Sequence, residues 1–176
     1  MRKIGAKSKQ HPLLMNVGFI LHQGVGTSRD VEFDLPAIEV SDDVELAFLR
    51  GVLKLTRISQ GLYLEGQLDA QIGLECDRCL TDIQHPLQVE PKELLRFPPQ
   101  PGGDPVLSVP ETRIVDLRPL LREHFVLGMP MHPLCRPDCK GLCPVCGVNR
   151  NESVCEHPEA EVDSRLAVLK SLLPDS

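Results

Sequence analysis

Cysteine is the residue that most restricts what this chain can become. Cys76 and Cys79 form one Cys-x2-Cys pair, and a denser run follows far downstream, Cys135-x3-Cys139-x3-Cys143-x2-Cys146-x8-Cys155-x-His157. All seven cysteines fall into these two groups, so none is left over as an apolar filler of the core. A Cys-x2-Cys turn lets two thiolates reach one tetrahedral ion at Zn–S distances of about 2.3 Å. Counting His157, the seven cysteines become eight donors, enough for two closed zinc sites. The pairing that spacing favours puts Cys143, Cys146, Cys155 and His157 on one ion. Cys76, Cys79, Cys135 and Cys139 then hold the other. A swapped pairing, a single zinc with spare thiols, and iron–sulfur ligation by the same thiolates all remain open at this point.

With 176 residues the chain can bury a sizeable core, so metal need not hold the entire fold together. The formal charge is −6, from 25 acidic against 19 basic residues, and metal-bound thiolates make it more negative. Non-specific nucleic-acid binding draws on clustered Lys and Arg, so any RNA contact has to come from local basic patches. Five Phe, one Tyr and no Trp leave little from which to build a stacking platform for single-stranded RNA. The core must be mainly Leu, Val and Ile. An odd number of cysteines at knuckle spacings argues against a secreted disulfide framework. Basic residues do precede the apolar stretch Leu13 to Leu21, but Asn16, Gly18 and the missing small-x-small site make it a strand rather than a signal peptide. No segment reaches the length of a membrane span. A soluble, cytoplasmic protein is expected.

Residues 1–10 carry Arg2, Lys3, Lys7 and Lys9 and no acid, a solvated terminus or a basic arm for phosphate. Residues 11–97 read as a strand-rich body. Val31, Phe33 and Leu35 alternate with Glu32 and Asp34, and Leu62, Leu64, Leu68, Ala70, Ile72 and Leu74 alternate with polar residues, a period of two that buries one face. Between 44 and 58 the register changes near Gly51, where a bulge or bend is expected. Ile83, Leu87 and Val89 alternate after the first cysteine pair, so Cys76 and Cys79 belong at the end of an antiparallel hairpin. Residues 98–112 are Pro- and Gly-rich and read as a loop or linker. In 113–176, Leu117, Leu120, Leu121 and Phe125 keep helical spacing, with Asp116 as N-cap and Pro119 in the first turn. A last helix is expected over 164–173.

Within Cys143-Pro-Val-Cys146-Gly147, Pro144 fixes one dihedral and Gly147 lets the backbone turn its N–H groups toward sulfur. If Cys76 and Cys79 share an ion with the later cluster, metal cross-links distant parts of the chain. Structural zinc is worth about 10–16 kcal/mol in small peptides at neutral pH. The sites look closed, with no position kept for water, which favours a structural over a catalytic ion. A dithiol oxidoreductase is the competing chemistry, but this pair is flanked by strand patterns rather than a helix N-terminus. No Ser/His/Asp order, phosphate loop or carboxylate pair stands out, so the chain does not read as an enzyme and no small-molecule substrate is implied. Arg78, Arg136, Lys140 and Arg150 gather around the cysteines and are candidate RNA-binding residues. Arg113, Arg118 and Arg122 lie on or before the helix.

At these residues the chain resembles the YceD family. Leu74-Glu-Cys-Asp-Arg-Cys-Leu80 matches its Leu-x-Cys-x-Arg-Cys-Leu motif, and Cys139-Lys-Gly-Leu-Cys-Pro-Val-Cys-Gly-Val-Asn-Arg-Asn151 matches its cysteine cluster. Asp163-Ser-Arg-Leu-Ala-Val-Leu-Lys170 resembles its closing helix. His157 stands where relatives usually have Cys, Arg150 where they have Leu, and Ser164 where they have Pro. The resemblance implies a factor needed for accumulation of large-subunit ribosomal RNA and covers most of the chain. The combined expectation is an α+β protein, an antiparallel strand-rich body with a helical, zinc-binding C-terminal part carrying one or two ions, integrated as one domain. Its partner is large-subunit ribosomal RNA or its precursor, or an assembling ribosomal protein. A zinc-stabilised module that binds protein and never touches RNA is the alternative, and a thiol redox protein a weaker one.

Overall fold

The computed structural model describes residues 11–155. The basic arm of 1–10, His157 and the expected helix over 164–173 lie outside the described residues. The order of elements is β1 (Leu14–Asn16), α1 (Gly18–Leu21), β2 (Ser28–Leu35), β3 (Ile38–Ser41), β4 (Val44–Ile58), β5 (Gly61–Glu75), β6 (Asp82–Val89), β7 (Lys92–Arg96), β8 (Ile114–Asp116) and α2 (Arg118–Gly128). Among the described residues the protein is strand-rich, its sheets antiparallel and its helices few. None of those helices is long and apolar enough to cross a membrane.

Two 15-residue strands, β4 and β5, form the spine of a six-stranded sheet. β2 and β3 follow one another along the outer edge of β4, and β6 and β7 along the outer edge of β5. β1 and β8 pair separately as a small ribbon that ties the start of the chain to the entry of α2. Alternation decides which face is buried. Leu62, Leu64, Leu68, Ala70 and Ile72 of β5 join Leu46, Leu49, Leu53 and Leu55 of β4 in one core, with Leu74 packed at its margin. α2 lays Leu120, Leu121 and Phe125 onto the same core. Each Leu moved fully out of water there contributes about 1.5–3 kcal/mol.

Three local expectations need adjusting. The register change in β4 falls between Leu46 and Phe48 rather than at Gly51. Ala47 is the extra residue, so Leu49 takes the core position and Phe48 turns outward beneath Arg50, 5.4 Å from the guanidinium carbon. The stretch from Leu13 to Leu21 is strand only as far as Asn16. There the Asn16 carboxamide oxygen accepts from Gly18 N–H at 2.9 Å and a helical turn begins. Asp116 sits one residue ahead of the cap position, held by Leu117, yet its carboxylate still accepts from Arg118 N–H at 3.0 Å. The Pro-rich stretch lies against the body: Val109 is fully buried and its N–H donates to Arg96 O at 2.9 Å, while Arg96 N–H donates to Leu107 O at 2.9 Å, on either side of a parallel bridge between Arg96 and Ser108.

Candidate metal centres

The β5–β6 hairpin ends at the pair Glu75–Asp82, and the six residues between them form a knuckle. Cys76 N–H donates to Thr81 O at 3.0 Å and Leu80 N–H to Cys76 O at 2.9 Å, closing a turn in which Leu80 takes a left-handed φ of 56°. This turn aims both thiols the same way. The segment after α2 then crosses over the knuckle, docked by Asp77 N–H on Pro133 O at 2.9 Å and by the Asp77 carboxylate on His132 Nδ1 at 2.8 Å. That crossing brings Cys135 and Cys139 to Cys76 and Cys79, with all four sulfurs within 4.8 Å of one another. Cys76 and Cys139 are 3.8 Å apart, Cys79 and Cys135 3.6 Å. A tetrahedron with four bonds of about 2.3 Å has edges of about 3.8 Å, so the donor set and its spacing fit a tetrahedral thiolate-bound ion.

A second group follows at once. Cys143, Cys146 and Cys155 bring their sulfurs within 4.8 Å of one another. Gly147, at φ +71°, lets its N–H return to Cys143 O at 2.9 Å, and Cys143 N–H donates to Val148 O at 2.8 Å. Three thiols are one short of a tetrahedral set, and His157, the fourth donor expected from spacing, lies outside the described residues. Both clusters could hold a metal ion, and the sulfurs fall into the grouping that spacing favoured rather than the swapped one.

The local fields prepare the thiols unequally. Burial opposes ionisation of Cys76, but backbone N–H groups of Cys135, Cys79 and Arg78 outweigh it and lower the thiol from 9.0 to about 6. At Cys143 the backbone N–H groups of Cys146 and Val145 do the same, again to about 6. Cys139 is buried too, yet the Asn151 side chain and the Gly141 N–H bring its pKa down. Cys135 goes the other way, to about 12, through desolvation and the neighbouring sulfurs. Cys155 is raised, mainly by sharing its proton with Cys143. Thiols facing N–H groups are poised as thiolate ligands before any ion arrives.

Of the four basic residues singled out from sequence, two are already engaged. Arg78 Nη1 donates to Cys139 O at 2.9 Å, and Arg136 Nη2 to Asn151 Oδ1 at 2.8 Å. Lys140 and Arg150 are exposed at the same surface, their backbone N–H groups bound to Asn151 Oδ1 and Gly141 O. Asn149 and Asn151 received no role from spacing. Their signal was the Asn-x-Asn inside the cysteine motif, since an amide side chain can donate to one loop while accepting from another. Away from the cysteines, an open groove of about 550 Å³ lies between β3 and α2, but Arg118 is paired with Asp116 and Arg122 with Asp43.

The family model described as "Large ribosomal RNA subunit accumulation protein YceD" matches residues 64–173, which takes in the β5–β6 knuckle and the whole cysteine run. An uncharacterized protein of Mycobacterium tuberculosis, Rv2926c, is 31% identical over 163 residues, covering 90% of this chain and 76% of the relative. The uncharacterized protein YlbN of Bacillus subtilis is 29% identical over 126 residues, covering 70% of this chain and 71% of its own. No solved structure matches the chain.

Proposed function

The chain belongs to the YceD family of large ribosomal RNA subunit accumulation proteins, and from that premise we propose a non-enzymatic factor that supports accumulation of large-subunit ribosomal RNA by binding that RNA or its precursor through a zinc-held surface. The observation that carries the reading is that Arg78, Arg136, Lys140 and Arg150 all lie on, or are hydrogen-bonded to, the loops that carry the two thiol clusters. Zinc suits the donors. Cys76, Cys79, Cys135 and Cys139 would hold one ion; Cys143, Cys146, Cys155 and His157 a second, its sole nitrogen donor being that histidine. The ion would supply rigidity and partial neutralisation of the thiolates, with no site left for substrate. Around it, the protein's own loops present Lys140 and Arg150 to phosphate, which steers a negatively charged molecule to one patch of a protein whose net charge is −6.

The test is to crosslink the tagged protein to RNA in growing cells and sequence what is attached. Enrichment at defined large-subunit positions is the expected result, and a profile no different from an untagged control sinks direct RNA binding. One observation supports a second reading, docking of a protein such as an assembling ribosomal protein. Leu127 is 84% and Met131 91% exposed at the end of α2, a few residues before the cysteines. Apolar side chains presented that openly beside a rigid centre suit a protein partner more than RNA.

A further inference from the structure

The two clusters are not merely neighbours. The loop that runs from Cys146 to Cys155 is pinned at both ends by cysteines of the second cluster, and in its middle stands Asn151. Its Nδ2 donates to Cys139 Sγ of the first cluster at 3.3 Å and to Asn149 Oδ1 at 2.9 Å. Its Oδ1 accepts from Lys140 N–H at 2.9 Å and from Arg136 Nη2 at 2.8 Å. Asn149 in turn fixes the loop through Asn151 N–H at 3.0 Å and through the bridge it makes with Leu142. One carboxamide therefore uses both its donor and its acceptor ends to clasp the second cluster's loop onto a sulfur, a backbone N–H and an arginine of the first.

We propose that Asn151 couples the two metal centres, so that an ion in the second raises the affinity of the first. The inference rests on the zinc reading above. Filling the second centre closes the ring between Cys146 and Cys155 and orders the loop that carries the amide. The amide N–H then meets Cys139 as a thiolate, and a hydrogen bond to that charged form favours ligation. With the second centre empty, the entropy of ordering this loop falls on the first ion instead. Linkage makes the effect reciprocal, each ion strengthening the other by the same factor. The chain would load its metals together rather than one at a time, and the surface bearing Lys140 and Arg150 would be complete only when both are present.

The test is a chelator-competed titration of the full metal-free chain with Co²⁺, followed by thiolate charge-transfer absorption. Cadmium-113 resonances distinguish the four-sulfur centre from the other. The variants are C143S/C146S, which disables the second centre, N151D, which keeps the acceptor oxygen and removes the donor, and the three changes combined. Coupling predicts that C143S/C146S and N151D each weaken the first centre about 10- to 100-fold, and that the combination is no worse than either. A first centre within twofold of wild type in either variant overturns the proposal, as do effects that multiply in the combination. The reciprocal pair C76S/C79S must weaken the second centre by the same factor, and an unchanged second centre also overturns it. A wild-type chain that shows no charge-transfer band sinks the metal reading itself and the coupling with it, whereas two ions bound independently sink the coupling alone. Far-UV circular dichroism of each variant establishes that the β-sheet body is intact.

Discussion

Arg78 and Cys139, 61 positions apart in the chain, are joined by a hydrogen bond of 2.9 Å from the guanidinium to the cysteine's backbone carbonyl. The grip is mutual, because Leu142 N–H donates to the Arg78 carbonyl at 2.9 Å. Arg78 thus holds the loop that delivers the fourth sulfur of the first cluster. R78A should cost about 1.5 kcal/mol, the low end for a charged donor, and should speed metal loss to a chelator. R78K keeps the charge but not the planar fork, and should restore less than half of that retention. If R78K retains metal like wild type while R78A impairs only RNA crosslinking, Arg78 is a phosphate ligand and not a clasp.

Gly51 sits at φ +142° where β4 pairs with Leu68 of β5, and a Cβ built there would lie 2.1 Å from Gln67 O. The atom in the way is backbone of the paired strand, so neither partner can yield. G51A should destabilise the protein by more than about 1 kcal/mol in urea unfolding. Gly73, whose added Cβ would meet only the Gln84 side chain at 3.5 Å, is the control, and G73A should stay within about 0.5 kcal/mol of wild type. Equal effects at the two sites would remove the argument from close approach.

Gly51 also marks where sequence reading was sharp and where it blurred. A period of two named the buried face of β5 almost residue by residue, because a strand solvated on one face must alternate. The bulge at Ala47 escaped it. Phe48 and Leu49 are both apolar, and only pairing with Ala70 and Gln71 decides which of them points inward. The cysteine grouping was legible because two-residue spacings define knuckles locally. Asn151 was not, since its role exists only once the 139–142 and 149–151 loops have met. The short turn α1 was hidden in the same way, its apolar run too brief to betray a helical period.

Proton release should follow the unequal thiols. Cys76 and Cys143 are lowered from 9.0 to about 6, so their thiolates stabilise the metal-free fold fully above pH 9, and that contribution is lost as pH falls through 6. Cys135 is raised to about 12, so its neutral thiol stabilises the metal-free fold below pH 9, and that is lost as pH climbs through 12. At pH 7.5, loading the first centre must therefore expel the Cys135 proton, while Cys76 has none to give. Calorimetry in buffers of different ionisation enthalpy should count fewer than four protons for that centre. Below pH 6 the count should rise at each centre, and affinity should fall more steeply. A full complement of protons released at pH 7.5 would contradict this poise.

Lys140 and Arg150 are the two exposed cations of the cysteine surface whose described hydrogen bonds use backbone N–H groups. Their side chains are the ones to reach phosphate. K140E/R150E should weaken binding to large-subunit RNA fragments in filter or fluorescence assays. Removing two phosphate contacts should also flatten the slope of log affinity against log salt by about 1.4, taking roughly 0.7 per contact on single strands. Metal content should not change, because neither side chain touches sulfur in the described bonds. L127D/M131D, placed on the apolar end of α2, should leave the salt slope as it was. The opposite pattern, RNA crosslinking indifferent to K140E/R150E and ribosomal-protein capture lost in L127D/M131D, would move the function from an RNA contact to a protein-docking face on the same zinc-held scaffold.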